Sequence, residues 1–330
     1  MCVAIIGAGI AGLSCASALS DHGYDVVLLD KGRGPGGRLS SCQLDCEDGP
    51  AVFDHGAQYF TARDPRFQRV VAGWANRGVA AQWPVAGLDA WVGFPRMDAI
   101  VQDLASHQAV EFEYLAKGIF RVENSWWVTG DRGVRGPFQA VILATPAEQA
   151  APILSLHDFG LARAAIGARS QPCWSIMFAF AARVPISQDI VRDFGPIAWA
   201  ARNSAKPGRG SPECWVIQAN ATWSAGHQKL EPGKVRDVLE AAFRTAVGAP
   251  LPDLLCGSAH RWRYALASGT GDGALWNSVN SLGVCGDWLI GPRVECAWLS
   301  GQKLAELVIR SGLPVQFKAT EASVHAAPTA

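Results

Sequence analysis

Val3-Ala4-Ile5-Ile6-Gly7-Ala8-Gly9-Ile10-Ala11-Gly12 is the stretch that decides the fold. Val3 to Ile6 predicts a short buried strand, and Leu13 to His22 an apolar helix. A second strand, Asp25 to Leu29, ends on Asp30. Strand, glycine turn, helix, strand and acid come in the order that a dinucleotide site requires. Gly7 allows the tight turn, Gly9 lets backbone approach a pyrophosphate, and Gly12 lets helix and strand pack closely. Ile10 and Ala11 are expected to bind the cofactor too, just before the helix whose free amides and positive end face the phosphates. Asp30 is the expected acceptor for ribose hydroxyls.

A second glycine-rich loop follows at once: Lys31-Gly32-Arg33-Gly34-Pro35-Gly36-Gly37-Arg38. Lys31, Arg33, Gly37 and Arg38 are expected beside phosphates, where a guanidinium fork is useful; the alternative is a solvated basic loop. An enzyme that binds only NAD has no obvious need of this loop, so the pair of loops predicts an FAD site. Near the other end, Leu282-Gly283-Val284-Cys285-Gly286-Asp287 reads as a strand ending in a turn, followed by a helix from Arg293 to Ile309. Gly286 and Asp287 are expected at the ribityl or phosphate region, and Arg293, Val294, Glu295 and Ala297 beside the flavin.

Composition narrows the class. The chain has 330 residues, 49% hydrophobic and 18% charged, which suits a well-packed globular protein. Lys+Arg and Asp+Glu both number 29, which argues against nucleic acid as a partner. No apolar run reaches the roughly 18 residues of a membrane span. Nine cysteines occur without a CxxC or a zinc set, and with no secretion signal they suggest reduced thiols and a cytoplasmic protein. No metal site is expected, and the oligomer is expected to be a monomer or weak dimer.

The predicted fold is α/β: a Rossmann-like FAD-binding domain with a second, mixed α+β substrate domain on a largely antiparallel sheet. The first is assigned to residues 1–70, 97–150 and 280–316, and the second to 71–96 and 151–279. Residues 317–330 are expected to be a disordered tail. Cys173–Phe180 and Glu213–Ala219 are strand-like, Pro232–Val247 is a helix, and His260–Tyr264 ends a further strand. Ala267 to Leu282, with Gly269, Gly271 and Gly273, is expected to be a mobile loop near the pocket.

These motifs, with Gly56-Ala57-Gln58-Tyr59-Phe60-Thr61-Ala62-Arg63-Asp64, Ala201-Arg202-Asn203-Ser204-Ala205-Lys206-Pro207-Gly208-Arg209, His260-Arg261-Trp262-Arg263-Tyr264-Ala265 and Gly291-Pro292-Arg293-Val294-Glu295-Cys296-Ala297-Trp298-Leu299-Ser300-Gly301, resemble the FAD-dependent amine-oxidase-like superfamily, and within it the bacterial renalases. The resemblance covers most of the chain in matching order. It implies noncovalent FAD and oxidation of 2- and 6-dihydro isomers of NAD(P)H to NAD(P)+, with O2 taking the electrons and yielding hydrogen peroxide. It also implies a discontinuous flavin domain with a sheet over the isoalloxazine face. An FAD oxidase or dehydrogenase acting on a small amine or cyclic substrate is the alternative, and a flavin-bearing module without turnover a third.

Hydride transfer to flavin needs proximity and orientation more than a strong acid or base. The pocket therefore needs flat walls and an amide-recognising group. Tyr59, Phe60, Trp199, Trp262 and Tyr264 are candidate walls or core. Asn203 and His260 are chosen for polar recognition, against a turn cap and a satisfied core histidine. Gly56, Ala57 and Gln58 are expected to approach the flavin, Gly56 because a side chain would obstruct it. Arg202, Lys206 and Arg209 either meet phosphates at the pocket mouth or keep a loop solvated. His55 has no setting for a covalent flavin link, and Asp54 beside it is as suited to fixing a loop. No lysine sits in an apolar strand like the flavin-N5 lysine of many amine oxidases.

Overall fold

The computed structural model describes residues 2–46 and 49–313. The expected tail at 317–330 lies outside the described residues. A six-stranded sheet runs in the order Leu275–Asn277, Leu282–Val284, Ala140–Leu143, Cys2–Ile6, Asp25–Leu29, Ala109–Glu111. All pairs are parallel except the first, which is antiparallel. The parallel strands are covered on both faces, which is why Val3–Ile6 and Ala140–Leu143 are continuous apolar runs. On one face Leu13 and Leu19 of helix Ile10–Ser20 pack with Leu304 and Val308 of helix Val294–Ser311. On the other lie the meander Ala116–Val122, Ser125–Gly130, Gly133–Phe138 and the helices Ala147–Leu154 and Phe159–Gly167.

The second sheet has five antiparallel strands in the order Ile190–Phe194, Ile197–Arg202, Glu213–Ala219, Ser170–Phe180, Leu254–Ala267. Trp174, Phe178, Trp215 and Ile217 point to one face, against Val235, Leu239 and Phe243 of helix Pro232–Val247. That helix has proline at its first turn and ends on Gly248 at φ 70°, the ordinary start and stop signals. Met177, Ala179, Cys214 and Val216 face the other way, under the hairpin Cys42–Cys46/Gly49–Phe53. The helix Pro65–Asn76 starts at Asp64, whose carboxylate accepts from Arg66 N. It sends Phe67, Val71 and Trp74 into the same core as Val3 and Ile5, and Trp83 and Val92 join them.

Two expectations fail for physical reasons. The stretch 267–282 is pinned: Thr270 N donates to Trp288 O, and Gly271 N and Gly273 N to Leu289 O. A Cβ on Gly269 would stand 2.0 Å from Ile290 O, so this glycine serves close packing, and the stretch leads into an edge strand of the main sheet. The cysteines are not all free, because Cys46 is bonded to Cys256. The two lie 210 residues apart, so no local spacing reports the pair. No helix among the described residues is long and apolar enough to cross a membrane.

Candidate functional site

The glycine turn is shaped by backbone contact. A Cβ on Gly12 would stand 2.0 Å from Gly7 O, so this position tolerates no side chain. Gly9, the residue before helix Ile10–Ser20, has open space where its Cβ would be. Beside Gly7, the buried Thr145 hydroxyl has no hydrogen-bond partner. An open approach at the helix start and an unpaired hydroxyl next to it fit a bound pyrophosphate. Asp30 accepts from Ala8 N and Gly32 N, both at 2.6 Å, tying the two glycine loops together. Lys31 and Arg33 are exposed on the second loop. Gly37 and Arg38 form its closing 3₁₀ turn.

Arg38 donates to both carboxylate oxygens of Asp287, at 2.7 and 2.5 Å, and to Ala265 O at 3.0 Å. This bidentate pair joins segments 249 residues apart. Gly286 N donates to Ser300 Oγ. Glu295 is buried; its Oε1 accepts from Arg63 N and Asp64 N, and Arg293 pairs with it at 3.3 Å. The Glu295 carboxylate thus orients the turn before Pro65. Val294 and Ala297 lie in the first turn of the same helix, which packs on the dinucleotide helix.

The segment Asp54–Tyr59 faces the five-stranded sheet. Asp54 is buried and accepts from Arg209 at 2.6 Å, Lys206 at 3.2 Å, Met97 N and Ser41. Burial works against its charge, but Lys206, Arg209 and the Met97 amide outweigh it and bring its pKa to about 2. Burial pulls Lys206 down, Asp54 restores only part of the loss, and Arg209 adds to it, leaving about 8. Arg202 is spent separately, on Asp189 and Glu213. These three cations therefore do neither thing expected of them: they are interior braces, not phosphate contacts at a pocket mouth or solvated loop charges. Asn203 is fully buried too; its amide donates to Val52 O at 2.9 Å and accepts from Asp54 N at 3.4 Å. Gln58 turns inward to Asp54 O, Gly56 O and Lys206. A Cβ on Gly56 would meet Arg38 O at 2.1 Å, so this glycine is required by the Arg38 backbone, on which Ala57 N also bonds.

Across from this segment, one register row of the sheet runs Trp199–Gln218–Ser175–His260. Gln218 donates to Gly56 O at 2.6 Å. His260 meets the His55 ring edge-on at 5.0 Å between centroids, and Trp262 stacks on His55 at 5.0 Å while donating to His55 O. Tyr59 lies 5.4 Å from Trp199. Burial, then the neighbouring His260, lowers the His55 pKa to about 4 against a weak opposing pull from Asp54. Burial also lowers His260. Both rings are neutral at ordinary pH. The buried His55 Nδ1, Ser175 Oγ and Trp199 Nε1 have no hydrogen-bond partner.

The fold thus brings His260 and Trp262 together at His55, sets Tyr59 against Trp199 three strands along the sheet, and places Asn203 one layer behind. His55, Ser175 and Gln218 were missed. Ser175 and Gln218 could have been noticed as lone polar residues within apolar strand runs, a pattern that marks a face turned from the core. Nothing local marks His55. Among the described residues no group of three or more His, Cys, Asp or Glu is placed to hold a metal.

Residues 5–74 match the family model of an NAD(P)-binding Rossmann-like domain. Over nearly the whole chain the fold is shared with solved structures named as oxidases. A proposed protoporphyrinogen oxidase from Exiguobacterium sp. 255-15 superposes with TM-score 0.75 at 10% identity, covering 94% of this chain and 99% of that one. Cyclohexylamine oxidase from Brevibacterium oxydans IH-35A gives 0.67 at 13% identity, covering 93% and 98%. Curated relatives match over short segments: D-amino acid dehydrogenase 2 of Ralstonia nicotianae is 33% identical over 95 residues, 24% of this chain and 22% of that protein. The chain therefore spans about a fifth of that relative's length.

Proposed function

We propose that the protein is an FAD-dependent oxidoreductase of the renalase kind, oxidising 2- and 6-dihydro isomers of NAD(P). The observation that carries the reading is the pairing of a dinucleotide cradle with a row of neutral aromatic and polar side chains, three of whose buried polar atoms have no hydrogen-bond partner. FAD, held without a covalent link, would lie along Gly7–Gly12, Asp30 and the Arg38–Asp287 clasp; when bound it supplies the hydride acceptor and passes the electrons to O2, giving hydrogen peroxide. Trp262, beside His260, is the wall that orients a planar dihydropyridine, and Trp199 and Tyr59 offer flat faces at the other end of the row. His260, with Ser175 and His55 Nδ1, offers neutral hydrogen-bonding groups to its carboxamide. Asn203, Gln58 and Lys206 act behind them by fixing the Asp54–Tyr59 segment. A dihydropyridine needs no proton removed, so a pocket without a free base suffices. Lys206 is spent on Asp54 and Gln58, which does not favour the amine-oxidase alternative.

Anaerobic mixing of the flavin-loaded protein with 2-, 4- and 6-dihydro-NAD(P) tests the proposal. Rapid bleaching by the 2- or 6-forms but not the 4-form is expected. Bleaching by a primary or secondary amine alone would overturn it in favour of the alternative.

A further inference from the structure

The edge strand Leu254–Ala267 has two sides with different chemistry. His260 and Trp262 turn toward His55, while the alternate residues Arg261 and Arg263 turn the other way. On that other side two adjoining hollows of about 480 and 460 Å³ share Gln228, Lys229, Arg261 and Arg263 in their walls. The second reaches Ala259 and His260, so the basic hollow begins at the strand that walls the candidate pocket. Arg261 is held in place: it stacks over Trp174 at 5.5 Å and donates to Gln228 O. Among the described residues neither Lys229 nor Arg263 makes an ion pair, and the only acid in either wall is Glu231. Arg38, Arg77, Arg135, Arg202 and Arg209, by contrast, are each ion-paired. Three converging cations beside a concave surface attract phosphate oxygens, and a fixed guanidinium suits them best.

We infer that this hollow is a pyrophosphate-binding subsite, taking the phosphates of a dinucleotide substrate whose nicotinamide end lies at His260 and Trp262. It rests on the dihydro-NAD(P) proposal for the identity of the substrate, but the subsite itself rests on Lys229, Arg261 and Arg263. The strand is at the sheet edge, so a flexible dinucleotide can cross it from one side to the other without threading a covered surface.

The test uses the flavin-loaded protein and the charge reversals Lys229→Glu and Arg263→Glu, both at exposed positions. ADP-ribose and inorganic pyrophosphate are titrated by calorimetry, and KM is measured for a dihydro-dinucleotide isomer and for the matching phosphate-free riboside. Each reversal is expected to weaken ADP-ribose binding about tenfold, and to raise KM about tenfold more for the dinucleotide than for the riboside, with both effects shrinking at high salt. Unmoved ADP-ribose affinity in both variants overturns the subsite. Equal KM changes for the two substrates overturn it as well, while leaving the substrate class intact. If the reversals weaken ADP-ribose binding but no dihydro isomer bleaches the flavin, the phosphate subsite stands and the substrate proposal falls.

Discussion

The dinucleotide cradle and the pocket wall are built in opposite ways. The cradle, apart from the Arg38–Asp287 clasp, is a largely local object. Its turn, helix and acid lie within Val3–Asp30, and its glycines meet neighbours that are themselves backbone: Gly12 against Gly7 O, Asp30 against Ala8 N and Gly32 N. The pocket wall is a product of distance. His55 reaches Trp262 across 207 residues, Asp54 reaches Arg209 across 155, and Gln218 reaches Gly56 across 162. A local motif survives as pattern in one short window, whereas a wall assembled from far segments depends on which buried charges find each other.

Breaking the long-range part is expected to have the largest effect. Asp54→Ala leaves Lys206 and Arg209 buried without their anion and is expected to cost about 3–5 kcal/mol, read by denaturant unfolding. Unfolding free energy within error of the parent would show that the Asp54 cluster is not what binds segment 54–59 to the sheet. The pocket also carries a pH signature. In the unfolded chain the His55 ring takes a proton below its ordinary 6.5, while the fold resists until about 4. The unfolded state binds more protons in that window, so stability falls as pH drops through it, by up to about 3 kcal/mol. His55→Gln should flatten that slope; a slope unchanged in the variant would assign it to other groups.

On the local side, Gly12→Ala forces a methyl into Gly7 O and is expected to cost about 2–3 kcal/mol together with flavin retention, read by absorbance after gel filtration. Retained yellow colour would mean that the turn can open without losing its ligand. The smallest effect sharpens the division between the two regions. Asn203→Ala removes two buried hydrogen bonds and is expected to cost about 1–2 kcal/mol, keep the flavin and slow its anaerobic reduction. Loss of flavin to the same degree as in Gly12→Ala would erase the distinction between cradle and wall.

The parts of the fold legible in the sequence were those written in short-range pattern. Val3–Ile6, Asp25–Leu29, Ala140–Leu143 and Pro232–Val247 could be read from buried runs, caps and periodicity, because each is fixed by neighbours a few residues away. The short strand Ala109–Glu111 stops where Glu113 sits at φ 56° and Tyr114 N turns back to Asp30 O. The loop around Lys206 can be read from sequence as a phosphate-contacting pocket mouth or as a solvated loop, because Arg202, Lys206 and Arg209 are all cations. It is interior because Asp54 and Glu213 supply the opposite charges.

The sequence by itself determined the strand–turn–helix of Gly7–Gly12 and the acid at Asp30, since a turn that tolerates no side chain is encoded by glycine and position alone. Only the tertiary structure decided which side chains form the wall opposite, and that Asn203, Gln58 and Lys206 stand behind it. The reason is energetic: a buried charge or amide is tolerated only where its partner arrives, and these partners are 148 to 155 residues away in the chain.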